Sequence, residues 1–427
     1  MSCDETVKLP EKVGTYNLGV NFWLLLFGKI VSQLGDGIFN LALPWYILSV
    51  TNSATAMSSY LVLANVVCGI SIMIFGRYID RWKKEKVLYI ADIIRGIYIL
   101  FLFAVIVFKL EGQLIWMYIC AVVLNICAAL FNPASMSIIP ELVEERGLVK
   151  ANALLSMVDN LIALIGLAVG GIIYQIFGIK LIFLIAGMAY VLSGVSEMFI
   201  HPNRSITNSR KQENTSLKDG IKYLMTNNRI LFIIVFALVW NYIYISVYSI
   251  YIPYVFNTIY KTTIGAVAII QIGMFVGMII GASIASRYNM KENMYKHLTH
   301  VVIIQLPVFV MLPIILIINS VYINYELFVI ISFSVLFFIL GISVAIVNVN
   351  IGVILQKEVK GEFLGRVYSF KALGSMISMA LGLAIGGIII ERIDVSVAFA
   401  IQAFLFVILC FTMIKKFLIK DKIADEN

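Results

Sequence analysis

A chain of 427 residues that is 61% hydrophobic and only 13% charged carries too little polar surface for a soluble globular domain, which is nearer half apolar and a quarter charged. The formal net charge of +8 lies in short stretches between long apolar runs, as membrane topology requires, and no basic run interleaved with aromatics offers a nucleic-acid surface. Nucleic-acid binding is excluded, and the excess apolar surface is assigned to a lipid bilayer.

The polar N-terminus MSCDETVKLPEKVGTYN has no cleavage-type signal, so the first apolar run is expected to stay in the mature protein. Runs long enough to cross a bilayer, roughly 17–25 residues each, are predicted at Phe22–Val50, Ala54–Ile79, Val87–Phe108, Gln113–Ile138, Ala151–Phe177 and Lys180–Ile200. Six more follow at Ile230–Val255, Thr263–Arg287, His297–Asn319, Glu326–Asn350, Leu364–Ile390 and Val395–Met413. With both ends inside, twenty-five of the thirty-two Lys and Arg fall on the inner side and four (Lys109, Lys180, Lys261, Arg392) on the outer, which sets the orientation.

In the first span Lys29, Gln33, Asp36 and Asn40 are spaced 4, 3 and 4 apart, so they share one face. An ionisable group in hydrocarbon costs about 2.5–3.5 kcal/mol, so this polar stripe is expected to point inward. Gly35 and Gly37 thin the helix beside Asp36. The third span holds Asp92 and Arg95 one turn apart near its inner end, where a local ion pair is the favoured reading. The fifth span repeats the polar pattern with Asn152, Ser156 and Asp159. Neither Asp36 nor Asp159 has a same-helix base within one turn, so both are expected to face a cavity. The alternative is an internal network that neutralises Asp36, Asp92 and Asp159 with Lys29, Arg95 and Lys371.

Residues 201–229 form the one long polar connection, almost at the midpoint, and read as a cytoplasmic linker. GLAVGGIIY (Gly166–Tyr174) before it has a near copy after it, GLAIGGIII (Gly382–Ile390). Two related halves around a central cleft are a transporter signature. The expected division is residues 1–200, a linker at 201–228, and residues 229–427.

The seventh span, WNYIYISVYSIYIPY, places Trp240, Tyr244, Tyr248 and Tyr251 on one face. Trp240, Tyr244 and Tyr248 are candidates to stack on an apolar or cationic substrate, with packing against other helices the equal competitor. Tyr251 and Tyr254 read most simply as interfacial belt residues. Arg366 starts the eleventh span and Lys371 lies further in. Cys3, Cys68, Cys120, Cys127 and Cys410 make no metal-binding spacing. His297 and His300 read as solvated residues at a basic loop edge rather than ligands.

Three motifs carry a family resemblance. GRYIDRWKK (Gly76–Lys84) resembles the G-x-x-x-D-R-x-x-R/K signature of the major facilitator superfamily. LGDGIFNLALPWYIL (Leu34–Leu48) and FNPASMSIIPELVEERGLVKANALLS (Phe131–Ser156) resemble the macrolide-efflux branch of its drug exporters. The resemblance implies twelve helices in two pseudo-symmetric six-helix halves, termini cytoplasmic, and a conformational switch at the inner ends of the helices. That role falls to Asp80 and Arg81, with Gly76 ending a helix tightly and Lys84, Asp92 and Arg95 as further charges of the latch. A plain positive-inside anchor would explain Lys83, Lys84 and Lys86 but not Asp80. Two departures bear on coupling: Met117–Ser137 has no arginine like that of many proton-coupled drug antiporters, and Leu167 stands where that group often has proline after glycine.

No G-x-x-x-x-G-K-[ST] loop is present, so ATP is not bound in the manner of a P-loop pump and no cofactor is implied. The expectation is an all-α integral membrane protein of the plasma (inner) membrane, monomeric and not an enzyme. It exports small amphipathic compounds, with protons as the coupling ion. The substrate and proton path is assigned to Lys29, Gln33, Asp36, Asn40, Asp159, Trp240, Tyr244, Tyr248 and Lys371. Uptake, or transport of a specific metabolite or lipid, is the alternative within transport. A membrane sensor or scaffold is the alternative outside it.

Overall fold

The computed structural model describes residues 18–79, 82–144, 147–202, 223–287, 294–323 and 325–419. Among them every regular element is helical. The first four long helices are α1 (Gly19–Thr51), α2 (Ala54–Ile79), α3 (Lys84–Val107) and α4 (Gln113–Ser137). A single turn, Ile139–Leu142, leads into a helical stretch from Leu148 to Glu197. Among the described residues eleven stretches are long and apolar enough to cross a membrane, and the one that includes Gly178 is really two.

Gly178 has φ 71° and ψ −171°, a conformation open in practice to glycine alone. The chain reverses there. A Cβ at Gly37 of α1 would stand 2.9 Å from Gly166 before the break, and one at Gly35 would stand 3.5 Å from Ala186 after it. A straight helix would separate residues 166 and 186 by about 30 Å. The two arms, α5 (148–177) and α6 (179–197), therefore form a hairpin against one level of α1.

After the linker come α7 (Asn228–Ile259), α8 (Ile264–Arg287), α9 (Met294–Ile323), α10 (Glu326–Glu358), α11 (Gly361–Arg392) and α12 (Val395–Phe417). Counting both arms, the described residues hold twelve long helices. Their ends move from the hydropathy boundaries by a few residues, except that α10 continues through buried Ile351, Ile354 and Leu355 beyond its apolar run. Around Pro253 the α7 backbone loosens into π turns at Val247–Tyr251 and Val255–Ile259, as expected where proline removes a helical N–H. Asp394 caps α12, accepting from the Ser396 and Val397 amides at 2.9 and 3.4 Å.

The helices pair in two matching sets. α1 packs on α5 and α6, α2 on α4, and α3 on α4 and α6; α7 packs on α11 and α12, α8 on α10, and α9 on α10 and α12. The duplicated glycine motif does the same work in both sets. In α5, a Cβ added at Gly166 or Gly170 would stand 2.9 Å from Gly37 or Ile38 of α1, and one at Gly171 would stand 2.8 Å from Ala268 of α8. In α11, Gly382 and Gly386 meet α7 at Ile245 and Ser246, while Gly387 meets Ser58 of α2. The third glycine of each copy thus faces the opposite set of six. Apolar side chains such as Ile115, Phe404 and Phe411 point outward, where a bilayer supplies their surroundings. Most of the expected linker, residues 203–222, lies outside the described residues.

Candidate functional site

Two chambers meet near the middle of the molecule. The polar one, about 450 Å³, is lined by Gln33, Asp36 and Asn40 of α1, Tyr60 of α2, Asn125 of α4 and Asp159 of α5. Beside it an apolar chamber of about 270 Å³ is lined by Trp45 of α1, Met57 and Leu61 of α2, Leu167 of α5, Tyr248 of α7 and Phe275 of α8. Gly37 and Asn40 belong to both walls, so the spaces adjoin. Together they offer a polar end with hydrogen-bonding groups and a hydrophobic, aromatic end.

The polar stripe of α1 does point inward, and its charge is matched from another helix. Lys29 Nζ lies 2.8 Å from Asp159 Oδ1 and 2.9 Å from Oδ2, and Gln33 Nε2 donates to Oδ1 at 2.9 Å. The lysine side chain is 10% exposed and the carboxylate 38%. Asp159 therefore faces the chamber and is neutralised at once, so both sequence readings of it hold. Asn152 donates to its own helix at Leu148 O and is exposed, and so stands apart from this cluster; the Ser156 side chain lies outside the described residues.

Asp36 sits where α1 is pressed between α5 and α6. It is half-buried, lines the polar chamber, and accepts a hydrogen bond from the Tyr190 hydroxyl of α6. Behind it Arg95 Nη1 donates to Asp92 Oδ1 at 3.2 Å, with Arg95 3% exposed and Asp92 fully buried. The guanidinium also stands over the Phe131 and Tyr190 rings, 5.3 and 5.5 Å from their centroids. The expected local pair is present, but it is buried between helices rather than on an inner surface.

The α7 aromatics form one face, as their spacing requires, but stack mainly on each other. Trp240 and Tyr244 are 4.9 Å apart at 9°, and Tyr244 and Tyr248 are 5.1 Å apart at 23°. Trp240 Nε1 donates to Gln305 Oε1 at 2.7 Å, and the Tyr244 hydroxyl turns to Met274 Sδ. Of the three, only Tyr248 lines the apolar chamber. Lys371 is half-buried, lines neither chamber, and makes no ion pair among the described residues.

Three readings need correction. Gly76 does not end a helix, since α2 continues to Ile79. Tyr251 is not a belt residue: it is fully buried, accepts from Gln402 Nε2 at 3.1 Å and packs edge-on against Phe399. His297 is not simply solvated, because Asn350 Nδ2 donates to its Nδ1 at 2.9 Å. Lys84 binds Glu141 at 2.5 Å and Ser137 O at 3.0 Å, tying the start of α3 to the turn after α4. Asp80 and Arg81 lie outside the described residues.

A model of the Major Facilitator Superfamily matches residues 25–335. The chain belongs to the major facilitator superfamily. It is thus a multi-span membrane transporter of small molecules and not an enzyme. Among superfamily members, it is 21% identical to macrolide efflux protein A of Streptococcus pyogenes over 95% of this chain and 96% of that protein. It is 25% identical to the multidrug efflux pump Tap of Mycobacterium bovis over 36% of this chain and 38% of that one. The solved structure of a bacterial homologue of the iron transporter ferroportin, in its inward-facing state, superposes with a TM-score of 0.71 at 15% identity, covering 92% of this chain and 98% of that one.

Two features of this chain went unread in the sequence. Glu197, at the end of α6, is fully buried beside Asp92 and Arg95. Gly273, Gly277 and Gly281 of α8 form a glycine ridge against α10, legible as a G-x-x-x-G-x-x-x-G pattern.

Proposed function

We propose that this transporter exports small amphipathic compounds, macrolide-type molecules among them, in exchange for protons by alternating access. The observation that carries this reading is the pair of adjoining chambers, because a polar end holding Asp36 and Asp159 and an apolar end holding Trp45 and Tyr248 suit a substrate with one face of each kind. The full-length similarity to a protein named for macrolide efflux points the same way. The division into residues 1–200 and 229–427 gives the two rocking bodies, and the motif Gly76–Lys84 gives the inner latch.

The orientation proposed is both ends inside, on the 25-to-4 distribution of Lys and Arg. Single cysteines at Asn214 and Asn427 are then expected to resist impermeant thiol reagents in intact cells, and labelling of either from outside would overturn the orientation. In this frame Glu391 of α11 accepts from the Thr55 amide of α2 at 2.9 Å and from its hydroxyl on the outer side, where Gln175 also meets Gly265. These contacts support reading the conformation as closed on that side.

Function is tested in a pump-deficient host with a panel of macrolides, lipophilic cations and dyes. Expression of the wild type should lower susceptibility and dye accumulation in a manner abolished by dissipating the pH gradient. Asp36→Asn should reduce this efflux roughly tenfold at matched expression, within the usual range of coupling between two ligands. Loss confined to cations would make Asp36 a counter-charge; loss across all compounds would make it part of coupling. No change in either class would remove Asp36 from the mechanism.

A further inference from the structure

Behind the polar chamber, three carboxyl groups lie within electrostatic reach of one guanidinium. Asp36 of α1, Asp92 of α3 and Glu197 of α6 all face Arg95. Lys29, the nearest other base on α1, is held by Asp159. Cys127 of α4, Tyr190 of α6 and Cys68 of α2 are the further titratable groups near Arg95 among the described residues. With every acid ionised, the cluster would carry two uncompensated negative charges while Asp92 and Glu197 lie out of reach of water, an arrangement that burial strongly disfavours.

The three acids differ in how they are held. Asp36 has the Tyr190 hydroxyl and an outlook on the chamber, and Asp92 has the guanidinium. Glu197 has neither. It is 0% exposed, and neither carboxyl oxygen has a hydrogen-bond partner. The α1 backbone presses on it, since a Cβ at Gly28 would stand 3.2 Å from Glu197 Oε1. Ser193, one turn earlier, donates instead to Gly28 O at 2.9 Å. Arg95 Nε and Asp92 Oδ2 are likewise buried and unpartnered, so the cluster holds an unused donor beside an unused acceptor.

We propose that Glu197 is a proton-binding site, and that with Asp92 and Arg95 it carries the coupling proton behind the substrate chamber. This rests on the proton-exchange reading above. A neutral Glu197 satisfies the burial now observed. When its O–H bond breaks and the proton passes to water at the inner end of α6, the new carboxylate becomes a second acceptor for Arg95. The unpartnered Nε–H is the donor placed to turn toward it. Such a turn changes the contact of α3 with α6, and α6 forms part of the wall that holds Asp36 in the chamber.

The test compares wild type with Glu197→Gln, an isosteric change that leaves the protein permanently neutral at this point. Infrared spectra of purified protein in liposomes are recorded across a pH titration, with no substrate and no gradient. The expected result is a protonated-carboxyl carbonyl band in wild type that bleaches as pH rises and is missing from Glu197→Gln. An unchanged band in the variant overturns the proton-binding assignment. In the same liposomes, gradient-driven transport of a dye relative to its gradient-free exchange should fall roughly tenfold in the variant. An unchanged ratio overturns the coupling role. A wild type indifferent to the pH gradient overturns the proton-exchange reading itself, and that outcome is distinct because the band still decides whether Glu197 binds a proton.

Discussion

Replacing Lys29 with methionine is expected to leave Asp159 with Gln33 as its sole partner and to destabilise the protein by about 2–3 kcal/mol. Breaking a fully buried ion pair from one side costs about 3–5 kcal/mol, because the remaining charge is stranded. Here the carboxylate is 38% exposed to the chamber, so water recovers part of that cost. The effect should appear as a lower melting temperature in detergent and a reduced yield of monodisperse protein. The double variant Lys29→Met/Asp159→Asn removes the stranded charge while an amide oxygen still accepts from Gln33, and it should regain most of the stability. Transport should stay impaired in both, since neither variant has the Lys29–Asp159 ion pair at the chamber wall. If Lys29→Met melts like wild type, the pair is ornamental to folding and Asp159 is solvated well enough to stand alone.

Gly277→Val should cost more. A Cβ at Gly277 of α8 would overlap the carbonyl oxygen of Phe338 on α10 and come within 3.1 Å of the Ile342 amide nitrogen. The same holds one turn on, where a Cβ at Gly281 would reach Ile342 Cα at 2.8 Å, and from the other side, where one at Gly341 would reach the Met274 carbonyl carbon at 3.0 Å. The obstacles are backbone atoms of two packed helices, which cannot yield as a side chain can. Inserting bulk into a well-packed interface costs about 1–3 kcal/mol per site. Valine at 277 should exceed that range, because the helices must separate along the whole ridge and lose their close backbone contacts. Gly352, also in α10, has nothing within 4 Å of its Cβ position, so Gly352→Ala serves as the control and should stabilise by up to about 1 kcal/mol through helix propensity. Thermal melting of Gly277→Val, Gly277→Ala and Gly352→Ala in one detergent decides the matter. Equal melting temperatures for all three would show that α8 and α10 are not in backbone contact.

Much of the fold was open to reading because a bilayer demands long apolar runs whatever the tertiary structure, and the division between the runs Ala151–Phe177 and Lys180–Ile200 fell at the hairpin that helical continuity would have concealed. The inward stripe of α1 was legible for the same reason, since Asp36 between two glycines has no tolerable place facing lipid. What the stripe meets was not legible. Lys29 and Asp159 are 130 positions apart, and pairing over that distance is a property of packing. Tyr251 went astray because a tyrosine near a helix end looks alike whether its hydroxyl meets water or Gln402. Glu197 escaped notice because it closes an apolar run at a loop edge, where an acid would ordinarily be solvated.

The third glycine of each repeated motif has one more consequence. Gly171 against Ala268 and Gly387 against Ser58 set nearly bare backbone on small side chains at two places related by the internal repeat. Such surfaces have no interlocking knobs. In the alternating-access cycle proposed above, one bundle would tilt over the other on these two smooth patches as on a bearing, with contacts at the rims such as Glu391 to Thr55 as the ones to break.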